Sequence, residues 1–422
     1  MADTDSPAAG PSRRRPPLTT MLVVLMAVGT GLSVASNYYV QPLLPELADT
    51  FAVRSSTAGL LVTLSQVGYV AGLALVVPLG DLVERRRLLT VTTGLTGVGL
   101  ALVAAAPGLA ALFPAIVVVG VTSVAAQIFV PLAADLAPDA QRGTVVGTVM
   151  AGLLLGILLA RTLAGLVAEV AGWRSVYVVA AASMLALAAA CRRALPDVPP
   201  AAAASYGSLL ASVLVLYREE PVLRRRAAYG AIGFAAFSAL WTSVAFLLDD
   251  AYGYGEATVG LFGLLGAAGA GAAQFAGRVA DAGWARVSTL GFFVVLAASW
   301  AVLAGAEGSL AALIVGIVLL DLAVQGAHIS NQSEVYRLRP EARSRLTTAY
   351  MCVNFAGGVV GSAVSAAVYD AGGWGAVCAI GGAFSALALL LWLTEARWPL
   401  SRMRHGAGAE VAAGAAAGSD AG

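Results

Sequence analysis

Long apolar runs separated by short polar stretches occupy most of the chain, at 19–43, 57–79, 88–106, 109–134, 144–168, 175–192, 226–248, 257–277, 286–305, 309–333, 347–369 and 374–394. About 20 largely apolar residues span the hydrocarbon of a bilayer as a helix, and these runs have that length without the alternation of a barrel strand. A helix satisfies its own backbone hydrogen bonds in lipid. The pattern therefore predicts an all-α integral membrane protein with twelve transmembrane helices, called spans 1 to 12 below.

Composition supports this class and excludes others. Of 422 residues, 59% are hydrophobic and 12% charged, against about 25% charged in a soluble chain. Neither an ordinary soluble enzyme nor a mainly disordered chain has that balance. The net charge of +1 provides no basic field for nucleic acid. All 25 basic residues are Arg, so the lysine of a Walker phosphate loop is missing. Cys191, Cys352 and Cys378 lie in apolar runs with no metal-ligand spacing, and neither metal nor cofactor is implied.

The placement of charge says more than its sum. Twenty-two of the arginines fall in the tails and loops of one side, Arg54 and Arg174 fall on the other, and Arg161 lies inside a span. The positive-inside rule then puts both termini, and the break at 193–225, in the cytoplasm of a cell whose inner membrane holds the protein. Arg13 to Arg15 precede the first run as in a secretory leader, but the run is too long for a leader core, so span 1 is expected to stay uncleaved. The organisation expected is a disordered tail at 1–17, a six-helix bundle at 18–192, a linker at 193–225 with Pro196, Pro199 and Pro200, a second bundle at 226–396 and a disordered tail at 397–422.

The two halves repeat. Asp81 and Asp281 follow the second span of each half 200 residues apart, Gly172-Trp173 and Gly373-Trp374 precede the sixth 201 apart, and Pro138 and Pro340 follow the fourth 202 apart. Such parallel duplication gives two pseudo-symmetric six-helix bundles, an architecture used by transporters that bind substrate at mid-membrane between the halves. The stretch Pro78-Leu79-Gly80-Asp81-Leu82-Val83-Glu84-Arg85-Arg86-Arg87, with its echo Gly277-Arg278-Val279-Ala280-Asp281-Ala282-Gly283, resembles the cytoplasmic signature of the major facilitator superfamily, an acidic residue followed by basic ones; with Pro138-Asp139-Ala140-Gln141-Arg142-Gly143 and Gly172-Trp173-Arg174 the resemblance covers about residues 18–396. The chain is nearest in type to its drug and sugar efflux proton antiporters. It departs from their pattern at Val77, where a glycine is usual, and in span 5, where Gly156, Ala160 and Gly165 occur without the usual proline and beside Arg161.

The resemblance implies that Asp81, Arg85, Arg86 and Asp281 gate the cytoplasmic mouth, with Asp81 in contact with span 11; fixing topology is their alternative role. It also implies that spans 2, 5, 8 and 11 meet across the halves. Small residues spaced by four, namely Gly68 and Gly72, Gly152 and Gly156, and Gly357 and Gly361, would there let one half rock on the other or else serve static packing. Spans 1, 4, 7 and 10 would line the cavity.

Polar residues inside the spans are the candidate site. Arg161 needs a partner or a wet cavity unless it snorkels to the surface, since an unpaired arginine at the bilayer centre costs about 2.5–3.5 kcal/mol or more. Asp321, Gln325, His328 and Gln332 recur on one face of span 10, a face that must meet protein or a cavity rather than lipid. Asp321 and His328 can titrate and are proton-carrier candidates. Asn37, Gln41, Gln127, Trp241 and Thr242 complete the set, while Tyr38 and Tyr39 read equally as site or as interfacial belt.

The function expected is secondary active transport of a small solute by alternating access, coupled to protons and directed to efflux, by a monomer in the bilayer. Uptake of a small organic anion or sugar is the alternative within transport, because Arg161 suits a carboxylate or phosphate. The alternative of another class is a non-transporting membrane receptor. No nucleophile with a base is present to support a membrane enzyme.

Overall fold

The structure is a computed structural model that describes residues 18–138, 140–198, 205–267, 271, 285–339 and 342–397, without the side chains of 285, 286 and 395–397. Every described element is helical. In chain order they are α1 (Thr20–Ala35), α2 (Leu44–Phe51), α3 (Ser55–Leu75), α4 (Arg85–Ala105), α5 (Leu109–Thr122), α6 (Ala126–Leu136), α7 (Arg142–Ala171), α8 (Trp173–Ala194), α9 (Tyr206–Glu219), α10 (Pro221–Tyr252), α11 (Glu256–Phe262), α12 (Ala285–Leu303), α13 (Leu310–Tyr336), α14 (343–371) and α15 (374–397).

These elements make up the twelve spans. Eight described stretches are long and apolar enough to cross a bilayer, and the longest, Arg343–Thr394, contains spans 11 and 12. The shorter apolar helices Thr20–Ala35, Glu256–Gly266 and Val287–Leu303 belong to spans 1, 8 and 9. Gly172 and Gly373, the repeated glycines, have φ of 74° and 62°, a left-handed backbone that favours glycine and lets each fifth-in-half helix turn directly into the sixth. The tryptophan after each is buried, Trp173 donating its backbone N–H to Glu46 and Trp374 its indole N–H to the Leu303 carbonyl.

Local chemistry shifts three of the expected boundaries. Span 1 does not run unbroken over 19–43: α1 ends at Ala35, residues 36–40 form turns, Gln41–Leu43 is a single 3-10 turn, and α2 continues to Phe51. Pro42 and Pro45 cause the break, because each lacks an N–H and crowds the preceding turn. Span 7 begins at Pro221, a favoured first helical residue, rather than at 226. The stretch between the halves holds α9, whose start is capped by the Ser205 hydroxyl.

The glycine ridges lie inside the halves rather than between them. A Cβ on Gly152 or Gly156 would meet the carbonyl oxygens of Ala27 and Gly31 in span 1 at 2.2 and 2.4 Å, and one on Gly357 or Gly361 would meet those of Ala231 and Ala235 in span 7 at 2.0 and 2.1 Å. Gly68 and Gly72 likewise abut Val117 and Val121 of span 4. Close backbone approach suits van der Waals packing in lipid wherever two helices cross, and the spacing alone does not say which helix faces the ridge. Between the halves, the corresponding contacts are Gly165 against the Glu256 carbonyl, Gly260 against that of Arg161, and Gly59 against the Ala366 methyl.

At the arginine-rich face, Arg85 pairs with Asp135 at the end of α6, donates to the Gly80 carbonyl and stands 4.0 Å from Asp81. Arg86 pairs with Glu84 and with Asp197 beyond α8. These contacts tie the loop after span 2 to spans 4 and 6 of its own half. Among the described residues Asp81 has no ion pair with span 11, and Asp281 lies outside them.

Candidate functional site

The break in span 1 places polar groups where an intact helix would bury its backbone. Asn37 accepts a hydrogen bond from Ser65 of span 2 at 3.2 Å, and Gln41, 4% exposed, accepts one from Arg161 Nε at 2.6 Å. Arg161 is 3% exposed. Its guanidinium carbon sits 3.9 Å over the Trp241 ring, 4.8 Å over Tyr38 and 5.8 Å over Phe237, an aromatic surround that holds a desolvated cation by its ring quadrupoles. The Nη2 group, buried, has no hydrogen-bond partner.

Asp321 completes the arrangement from span 10. It too is 3% exposed, and it accepts the Trp241 indole N–H at 3.3 Å. Trp241 therefore presents its face to a cation and its edge to a carboxylate. No ion pair within 4.0 Å joins Arg161 to Asp321 among the described residues. Space for both comes from span 8, which tightens into a 3-10 turn at Gly263–Gly266. A Cβ on Gly263 would stand 2.9 Å from that of Arg161, and one on Gly266 would stand 3.1 Å from Asp321 Oδ2.

Arg161 and Asp321 share a cavity whose wall is otherwise apolar (Leu154, Leu155, Ile157, Leu158, Phe237) except for Gln325. A second, small cavity adjoins it across Phe237 and is lined by Asn37, Tyr38, Gln41, Gln66, Tyr69, Ser238 and Phe355. Both lie between the halves. A carboxylate and a guanidinium that share a desolvated cavity without neutralising each other directly can each take a ligand: a proton or cation on Asp321, an anion on Arg161.

The sequence candidates thus separate. Arg161, Gln41, Trp241, Asp321 and Gln325 come together, with Asn37 in the adjoining cavity and the Tyr38 ring facing the Arg161 guanidinium. His328 does not join them: its Nδ1 is 3.1 Å from the Tyr350 hydroxyl of span 11. Gln127 reaches Tyr69 at 3.5 Å and lines neither cavity. Contributors that the sequence did not single out include Phe237, Gln66, Gly263 and Gly266. Phe234, Phe237 and Trp241 are spaced as one face of span 7, a signal that was legible. Arg226, counted as a loop charge, is instead 4% exposed on α10, with Nη1 3.4 Å from Asn331 Oδ1.

Comparison with known proteins matches the chain to a family. Residues 26–336 match the Major Facilitator Superfamily. The uncharacterized transporter YgaY of Escherichia coli O157:H7 is 48% identical over 376 residues, covering 89% of this chain and 95% of the relative. A protein of Streptomyces coelicolor designated transporter SCO4007 is 34% identical over 394 residues, 91% of each chain. Among solved structures, a bacterial homolog of the human lysosomal transporter Spinster, inward-facing and occupied, superposes with a TM-score of 0.73 at 12% identity, covering 90% of this chain and 97% of the other. At that identity the likeness is one of fold.

Proposed function

The chain belongs to the major facilitator superfamily and is a transporter, and from that premise we propose that it exports a small solute by proton-coupled alternating access. The observation that carries this reading is Asp321: a buried carboxylate, in a cavity between the halves, held by a neutral indole donor rather than by an ion pair. A cationic solute and a proton compete for such a group, so binding one releases the other, and an inward proton gradient then drives the solute out. Residues 18–192 and 226–396 are the units that rock about the site in a monomer.

Arg161 favours a second reading. Its unpartnered Nη2 suits a carboxylate, which it would bind best when Asp321 is protonated. Anion and proton would then travel together, giving uptake. The two readings differ in the sign of a proton flux. Proteoliposomes holding an acid interior and a trapped pH dye should lose protons when an organic cation that the protein exports is added outside. Proton entry with an added organic carboxylate at alkaline interior would favour uptake, and solute movement without any proton flux would remove the coupling.

We place both termini and the stretch 193–225 in the cytoplasm, on the strength of the arginine bias. A cysteine at exposed Ser205 should then resist a membrane-impermeant maleimide in intact cells and label only after permeabilisation. Ready labelling in intact cells would reverse the orientation.

A further inference from the structure

The arginine-poor face carries a repeat within the repeat. Glu169 and Asp370 each stand three residues before the paired glycines Gly172 and Gly373, and so 201 residues apart. Each carboxylate leaves its own half and reaches the start of a helix in the other. Glu169, at the end of span 5, accepts the backbone N–H of Ala257 at 3.1 Å, in the first turn of span 8. Asp370, at the end of span 11, accepts the Ser56 hydroxyl at 3.1 Å, in the first turn of span 2, and lies 3.8 Å from Arg54. Ala257 and Ser56 are also 201 residues apart. The two contacts stand at matching positions of the internal duplication, one with a backbone N–H and one with a hydroxyl as donor.

Below each carboxylate the same pair of spans is seated tightly. Gly165 abuts the Glu256 carbonyl and Thr162 donates to the Gly260 carbonyl at 3.0 Å; on the other side Gly59 abuts Ala366 and Thr63 is 3.0 Å from Ser362. Glycine at 255 matters for the first contact, because a Cβ there would stand 2.9 Å from Glu169 Oε2. The first-turn N–H groups of a helix have no partner within it, so the Glu169 carboxylate, supplied from the opposite half, satisfies what would otherwise need water, while Asp370 takes a hydroxyl of the matching turn. Arg54, its side chain 82% exposed, adds little.

We propose that Glu169 and Asp370 are a matched pair of latches that hold the arginine-poor face shut and release when the transporter opens on that side. The proposal rests on the alternating-access reading and concerns neither substrate nor coupling ion. Because both contacts cross between halves, and both are exposed to water when broken, they bias the equilibrium between closed and open without adding to the stability of either half alone. Glu46 provides an internal comparison: its carboxylate accepts the Trp173 N–H at the start of span 6 in the same way, but within the first half.

Spin labels at Val170→Cys and Ala251→Cys, both exposed and in different halves, report the separation at this face once Cys191, Cys352 and Cys378 are replaced by Ala. The Glu169→Gln/Asp370→Asn variant should raise the ratio of long to short distances roughly fivefold, the combined loss at two exposed charge-assisted bonds. Gly255→Ala, which displaces the Glu169 carboxylate without removing it, should give a smaller shift in the same direction and serves if the double variant folds poorly. Glu46→Gln should leave the distribution unchanged. An unchanged distribution in the latch variants, or an equal shift in Glu46→Gln, overturns the latch. Failure of the transport reading would show separately, as the absence of gradient-driven flux in the unaltered protein.

Discussion

Asp321→Asn should abolish accumulation or efflux driven by a pH gradient while leaving exchange of solute at equal pH measurable. The amide keeps the size of the carboxyl and can still accept the Trp241 indole N–H, which fixes Trp241 over Arg161. It cannot take up a proton. If the carboxylate is the group through which the proton gradient acts, driven flux falls to the level seen without a gradient, whereas downhill exchange needs only the cavity. Uptake into proteoliposomes with and without an imposed gradient separates the two. Full driven flux in the variant would take Asp321 out of the coupling mechanism and leave it a structural partner of Trp241.

Removing either charge alone should be worse than removing both. Arg161 and Asp321 do not touch, yet each is the nearest opposite charge within a shared desolvated cavity, bridged by one indole. A buried charge deprived of its partner costs about 3–5 kcal/mol, while replacing both by apolar groups is often close to neutral. Arg161→Ala also strands the Gln41 side-chain oxygen, and Asp321→Ala strands the indole N–H. Melting temperatures in detergent of the parent, Arg161→Ala, Asp321→Ala and the double variant should therefore show the double variant melting above both single variants. Strict additivity would mean that Trp241 insulates the two charges rather than coupling them.

Much of this is legible in the amino-acid sequence. Twelve apolar runs needed only the length that a bilayer requires, and the duplication showed in glycines that the backbone uses at positive φ. The charges of the site were legible because lipid makes Arg161 and Asp321 expensive anywhere except at a cavity. What escaped followed from neighbours that a single helix cannot reveal. Gly263 and Gly266 look like any small residues until Arg161 and Asp321 are seen to fill the space they leave. His328 shares a face with Asp321, but span 10 is long enough for that face to pass from the cavity to Tyr350. Arg226 is the last of the three consecutive arginines 224–226, and only the early start of α10 at Pro221 carries it inside. Pro42 and Pro45 did signal a break in span 1, which hydropathy averages away.

The seams where no methyl group fits have a mechanical consequence. Spans 1 and 5 are fused backbone to backbone at Gly152 and Gly156, as spans 7 and 11 are at Gly357 and Gly361, so neither half can shear internally without driving a carbonyl into a Cα. In the alternating-access motion proposed above, the change then reduces to one collective coordinate, the tilt of one half against the other. A dye pair confined to a single block would be blind to transport, and relaxation after a jump in conditions should follow a single exponential, since one barrier separates the two poses.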